Sequence, residues 1–190
     1  RTAAHNKIRG HLSVSLSKVL TSGWKLYEET PIRAITSLLW RPVPSAEVQQ
    51  SGRVVSAADQ AAGSMSLGNW RPDFVVVSHS LCKLAILELC RPSDVRLERL
   101  QAAYQGKLDT YRPLLTALRT PIDDGWNIQI LPWVVGARGL IQRQSLCRAL
   151  EFLEIPCCGW QEIIDNTVLA AVSALSLMHR VRFSCRTAGQ

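Results

Sequence analysis

Two acidic residues, Asp73 and Glu88, are separated by fourteen residues and stand at the ends of two β-rich apolar runs. The runs at 74–77 and 84–87 flank a polar His79-Ser80 break, which is the pattern of a hairpin with its loop at 79–82. Opposed residues in an antiparallel ladder share one sum of residue numbers. A loop at that place pairs Ser78 with Lys83 and sets Asp73 opposite Glu88, with Cβ atoms about 5 Å apart on one side of the sheet. Carboxylates so close repel unless a proton or a cation lies between them. A divalent ion taking oxygen ligands at about 2.1 Å relieves that repulsion. The competing reading is an accidental pair at strand ends, screened by solvent.

A third residue type joins the pair. Leu97, Leu100, Tyr104, Tyr111 and Leu114 recur at helical spacing, with Lys107 in the middle of the same face. If that face packs on the sheet, the Lys107 ammonium points toward Glu88 or snorkels to an edge. A positioned cation beside a carboxylate-bound metal is what phosphodiester cleavage uses, to orient or activate water and to offset charge on the phosphate. Arg71 adjoins Asp73, and Arg91, Arg96 and Arg99 cluster just past Glu88, where contact with a phosphate backbone is read ahead of a merely solvated face. Arg138 lies between Gly136 and Gly139, residues that let backbone and guanidinium approach a phosphate closely; a solvated loop arginine is the alternative. His5 and Asn6 read first as a structural pair, with a place at the active site or against DNA as the alternative. Arg1, Lys7, Arg9 and Lys18 give the first helix a basic face, and Arg180, Arg182 and Arg186 read as a solvated end. Trp40 and Trp70 read as core or loop anchors ahead of base-stacking platforms.

The elements that must hold these residues follow from periodicity. Ile8, Leu12, Leu16, Val19 and Leu20 predict a first helix ending at Gly23. Residues 24–27 suit a short strand, and 32–40 are apolar without deciding their type. Residues 41–69, rich in Pro, Gly, Ser, Ala and Gln, read as a flexible loop insertion. After the hairpin, Ser93 or Asp94 is expected to cap a helix running to about Leu118, which Pro113 would kink or end. A third strand at 128–135 is expected in the centre of the fold, followed by helices at 145–153 and 161–182. Interleaved strands and helices predict an α/β domain with one mixed sheet.

Composition sets the outer limits. The chain has 190 residues, 47% of them apolar and 19% charged, enough for one domain with a real core and against global disorder. With 22 Lys+Arg against 15 Asp+Glu, the net charge is +7, which favours an anionic partner, nucleic acid ahead of an acidic membrane. The apolar run at 168–178 is broken by Ser173 and Ser176 and falls well short of the ~20 residues a membrane span needs. The 6 cysteines form no CxxC pair and, with the 4 histidines, no zinc-finger spacing; buried reduced thiols of an intracellular protein are expected. A start at Arg1 suggests a piece of a longer polypeptide.

Several segments resemble one family. Pro72-Asp73 followed by Glu88 looks like the PD-(D/E)xK restriction-endonuclease superfamily. More closely, the chain is similar to the restriction-like endonuclease of site-specific non-LTR retrotransposons and related reverse-transcriptase polyproteins. The resemblance is carried by His5-Asn6-Lys7-Ile8, Arg71-Pro72-Asp73, Glu88-Leu89-Cys90-Arg91-Pro92, Lys107-Leu108-Asp109-Thr110-Tyr111, and Gly125-Trp126 running into Pro132-Trp133-Val134-Val135-Gly136-Ala137-Arg138-Gly139. It implies a restriction-endonuclease-like mixed sheet flanked by helices over 1–155, with 156–190 as a helical extension packed on it. It also implies Mg²⁺- or Mn²⁺-dependent DNA nicking that frees a 3′-OH to prime reverse transcription. Asp73 and Glu88 would be the metal ligands and Lys107 the catalytic lysine. The implied partners are DNA and the rest of a polypeptide bearing a reverse transcriptase, in the nucleus, with a homodimer left open. The chain departs from the family at Cys90, where the superfamily's usual lysine stands, and at Thr110, Ala4 and Val134. A nuclease-fold module that only binds nucleic acid for an attached polymerase, and an α/β scaffold with no such role, are the competing functions. The direction of the Lys107 side chain separates the first of these from an enzyme.

Overall fold

A computed structural model describes residues 2–39, 70–93, 96–119, 122 and 125–187. The loop insertion expected at 41–69, Trp40 and Asp94 lie outside the described residues, as do the side chains of Arg180, Arg182 and Arg186. The chain order is α1 (Ala3–Val19), β1 (Trp24–Glu28), α2 (Ile32–Leu39), β2 (Phe74–Ser78), β3 (Lys83–Cys90), α3 (Leu97–Arg119), β4 (Asn127–Val134), α4 (Arg143–Phe152) and α5 (Cys157–Thr187). The protein is a mixed α/β structure with a four-stranded sheet in the order β1-β2-β3-β4. The β1–β2 and β2–β3 pairs are antiparallel, and β4 pairs parallel with β3.

Helices cover both faces of this sheet, which explains why the two middle strands, β2 and β3, are buried and apolar at nearly every position instead of alternating. Phe74, Val76, Ala85, Leu87 and Trp133 point to one face and pack with Ile8, Leu12 and Leu16 of α1, Leu146 and Leu150 of α4, and Ile163 and Ala171 of α5. Val75, Val77, Leu84, Ile86, Ile128 and Ile130 point to the other and pack with Ile32 and Ile35 of α2 and Tyr111, Leu114 and Leu118 of α3. The period of two along each strand therefore divides one set of residues between two cores. Among the described residues no helix is long and apolar enough to cross a membrane. The thiols of Cys82, Cys90, Cys147, Cys157 and Cys158 are free, but only Cys90 is buried, and Cys157 and Cys158 are exposed.

Several expectations change. The strand expected at the centre is β4 at the edge of the sheet; its apolar character comes from helices on its two faces, and not from strands on its two sides. Residues 32–39 are helical, with Ile32, Ile35 and Leu39 buried at spacings of three and four. Pro113 sits inside α3, which continues to Arg119. That helix opens at Leu97, so Ser93 is too far upstream to cap it, and Leu97 itself is 66% exposed and leaves the packed stripe. The last helix starts at Cys157, four residues earlier than its period suggested.

Candidate active site

The hairpin fixes the acid pair. Ser78 faces Lys83 and Phe74 faces Leu87, the register expected from the loop at 79–82. The ladder ends there, and one step beyond it Asp73 and Glu88 stand opposite each other. Both are buried, at 1% and 2% exposure. They are joined through a backbone contact: the Asp73 N–H donates to Glu88 Oε1 at 3.0 Å. The Leu89 N–H in turn donates to Asp73 Oδ2 at 2.9 Å. Each carboxylate is thus held by the main chain of the other strand, an orientation set by register and not by rotamer preference alone.

Two side chains from outside the hairpin complete the arrangement. Lys107, three turns into α3, donates from Nζ to Glu88 Oε2 at 3.0 Å. Its ammonium also lies over the Tyr111 ring, 5.7 Å from the centroid, and Tyr111 packs against Trp70 at 5.0 Å. From the other face of the sheet, His5 in the first turn of α1 brings Nε2 to 2.9 Å from Asp73 Oδ1. The hydroxyl of Thr2 caps that turn by accepting from the His5 N–H at 3.2 Å. Asn6, its neighbour, is exposed.

Electrostatics follow from burial and proximity. Burial is the largest influence on Lys107 and works to lower its pKa. The charge and hydrogen bond of Glu88, with Cys90 and Asp73, outweigh it and hold the amine above its ordinary value, so it is an ammonium at neutral pH. Cys90, two residues after Glu88, has its thiol pushed up to about 12, chiefly by burial, with Glu88 and Asp73 adding and Lys107 opposing. A neutral thiol therefore stands beside the acid pair, and it is the Lys107 amine that reaches Glu88. Val134 is wholly buried beside Cys90 and Leu100.

A shallow cleft of about 360 Å³ is lined by Leu89, Cys90, Arg91, Gly106, Lys107 and Thr110 among others, so it shares Lys107 with the acid pair while neither carboxylate lines it. Arg91 is in this wall, though its Nη2 donates to the Ala137 carbonyl at 3.2 Å and so braces the turn that follows β4. That turn closes through Gly136 N–H to the Leu140 carbonyl at 2.7 Å and carries Arg138 on an exposed tip. Gly139 is required there: its φ is +91°, and a Cβ would meet Val172 and Val168 of α5 at 3.0 and 3.1 Å. Arg71 is exposed directly before the site, and Arg96 and Arg99 are exposed where the chain enters α3. The fold therefore gathers Asp73, Glu88 and Lys107 into one contact network, half-buries Arg91 and leaves Arg71, Arg96, Arg99 and Arg138 exposed.

His5, expected first as a satisfied structural histidine with the active site as the alternative, is satisfied by Asp73 of the acid pair itself, a partner that the sequence does not name. Its signal was the His5-Asn6 segment itself, which carried part of the resemblance. The donor set can be tested against the implied metal. Asp73 and Glu88 are hard oxygen donors, and Mg²⁺ is commonly held by one or two carboxylates with waters and substrate phosphates completing its shell. Among the described residues no cluster of three or more His, Cys, Asp or Glu side chains forms an all-protein cage. A two-carboxylate site shared with a phosphate suits Mg²⁺ or Mn²⁺ and does not suit a structural zinc, which takes four protein ligands. No protein-family model matches the chain, and no curated protein matches it significantly.

Proposed function

We propose that the chain is a restriction-endonuclease-like domain that nicks DNA with Mg²⁺ or Mn²⁺, making the target-site nick that primes reverse transcription in a retroelement. The observation that carries this reading is the Lys107 ammonium at 3.0 Å from a Glu88 carboxylate that is itself tied to Asp73. An ammonium turned away from the pair would have favoured a module that only binds. In this reading Asp73 and Glu88 hold the metal, which when bound supplies Lewis-acid activation of water and phosphate. Lys107 positions the attacking water and offsets negative charge at the phosphate, in a cleft whose wall includes Arg91. Arg71, Arg96, Arg99 and Arg138 contact the DNA backbone, and the partners are DNA and an attached reverse transcriptase in the nucleus.

A second reading has its own support. The neutral Cys90 thiol and the buried Val134 remove two groups that the resembled family uses, which favours a weakened nuclease kept to bind nucleic acid. Nicking of supercoiled plasmid separates the two. Parent protein should convert it to the open-circular form with Mg²⁺ or Mn²⁺, while Asp73→Ala and Glu88→Ala should be silent yet still shift DNA in a gel. Equal nicking by parent and Asp73→Ala would sink the nuclease reading. Binding by all three without any nicking would establish the second.

A further inference from the structure

We infer that His5 is the positioning residue of this site: it holds the Asp73 carboxylate in the orientation that the metal requires. The inference rests on the nuclease reading and adds to it a residue from the opposite face of the sheet. Asp73 is 1% exposed, so an ionised carboxylate there needs donors from the protein. The main chain supplies one of them, the Leu89 N–H on Oδ2, so the contact made at Oδ1 bears on how the carboxylate plane is turned. His5 Nε2 meets Oδ1 at 2.9 Å with only 15% of its side chain exposed.

The way His5 is held suits positioning. Thr2 caps the first turn on the His5 N–H, and Ala4 and Ile8 on either side of it are buried. One turn further, Arg9 forms an ion pair with Glu29, whose backbone N–H donates to the Asp73 carbonyl at 3.1 Å. Glu29 takes a φ of +44°, a conformation rarely adopted by a residue with a side chain, and it is the turn after β1 that this conformation directs at Asp73. Helix α1 therefore reaches Asp73 twice, at the carboxylate through His5 and at the carbonyl through Arg9 and Glu29. Partners that hydrogen-bond a metal's carboxylate ligand orient it, and losing one costs roughly 10–100-fold in metal affinity or activity.

The test compares His5→Ala, His5→Gln and parent, using Mn²⁺ binding by electron paramagnetic resonance and plasmid nicking, with thermal unfolding as a check on folding. Gln carries an amide N–H at about the reach of Nε2 but has no ring nitrogen to ligate metal or carry a proton. The expected result is a loss of about 10–100-fold in Mn²⁺ affinity and nicking for His5→Ala, with His5→Gln recovering most of both. His5→Ala behaving like parent in both measurements overturns the inference and leaves the nuclease reading standing. His5→Gln as impaired as His5→Ala also overturns it, because the ring itself would then be what matters. Parent protein that neither binds Mn²⁺ nor nicks removes the nuclease reading, and the inference with it.

Discussion

Replacing Lys107 by Ala removes the cation from a buried carboxylate, and its effects on folding and on chemistry can be read separately. Glu88 is 2% exposed and the Lys107 side chain 35%, so the pair lies between two regimes. Breaking a fully buried pair costs about 3–5 kcal/mol, whereas an exposed pair contributes about 0–1 kcal/mol. A loss of ~2 kcal/mol is the expectation, which for a domain of this size lowers Tm by about 4–8 °C. The sign with pH follows from the raised pKa of Lys107: the pair stabilises fully below the ordinary 10.5 and is lost only as pH climbs beyond it. The deficit in Lys107→Ala should therefore be the same at pH 6 and pH 8. In catalysis the same change removes one electrostatic stabiliser, about 3 kcal/mol of barrier or roughly 10²-fold in nicking rate. Mn²⁺ distinguishes the two effects. With the ammonium gone, an ion at the carboxylates restores the missing positive charge, so Mn²⁺ should raise the Tm of the variant by more than that of the parent while the nicking rate stays low. Circular-dichroism melts with and without Mn²⁺, beside a plasmid assay, read both. A variant with the parent's Tm, the parent's response to Mn²⁺ and the parent's rate would refute the ion pair and the role built on it.

Cys90, its thiol pushed up to about 12 from an ordinary 9.0, should show a thiolate fraction at neutral pH roughly a thousandfold below that of a free thiol, and iodoacetamide should modify exposed Cys157 and Cys158 long before it. Because that thiol stays protonated in the fold while the unfolded one ionises, the fold should lose stability as pH rises from 9.0 toward about 12, and Cys90→Ser should flatten this part of a pH-stability curve. Arg96→Ala or Arg99→Ala should weaken DNA binding uniformly across sequences and reduce the slope of log affinity against log salt by about one, as measured by fluorescence anisotropy; an unchanged slope would remove these residues from the phosphate track. Gly139→Ala should lower Tm by about 2–8 °C, the consequence of ~1–2 kcal/mol for a Cβ at φ +91° against Val172 and Val168.

How far the site could be read from the sequence depended on how far apart its parts lie along the chain. The acid pair was legible because the hairpin is local. Once the loop at 79–82 pairs Ser78 with Lys83, every other opposition follows by counting, out to Asp73 and Glu88. Lys107 was legible because a helical period states which residues share a face, and the sheet is what such a face covers. The edge position of β4 was not legible. Its parallel pairing with β3 is decided by the crossover through α3, and a strand covered by helices reads as apolar whether it lies at the edge or in the middle. Helix α2 was undecided because eight apolar-rich residues fit a strand or a helix equally well.

The contact of His5 with Asp73 is of another kind. It spans 68 positions, against 19 for Lys107 and Glu88, and it exists only because Ile8, Leu12 and Leu16 dock α1 on the face of the sheet opposite α3. No local pattern at residue 5 contains that fact. Two buried carboxylates in contact need donors from somewhere, and the hairpin's own main chain supplies the Leu89 N–H to Asp73 and the Asp73 N–H to Glu88. The demand for donors was therefore present in the sequence as soon as Asp73 was set opposite Glu88. That His5 is among the partners of Asp73 had to wait for the packing of α1, which ties that helix, and not the hairpin alone, to the acid pair.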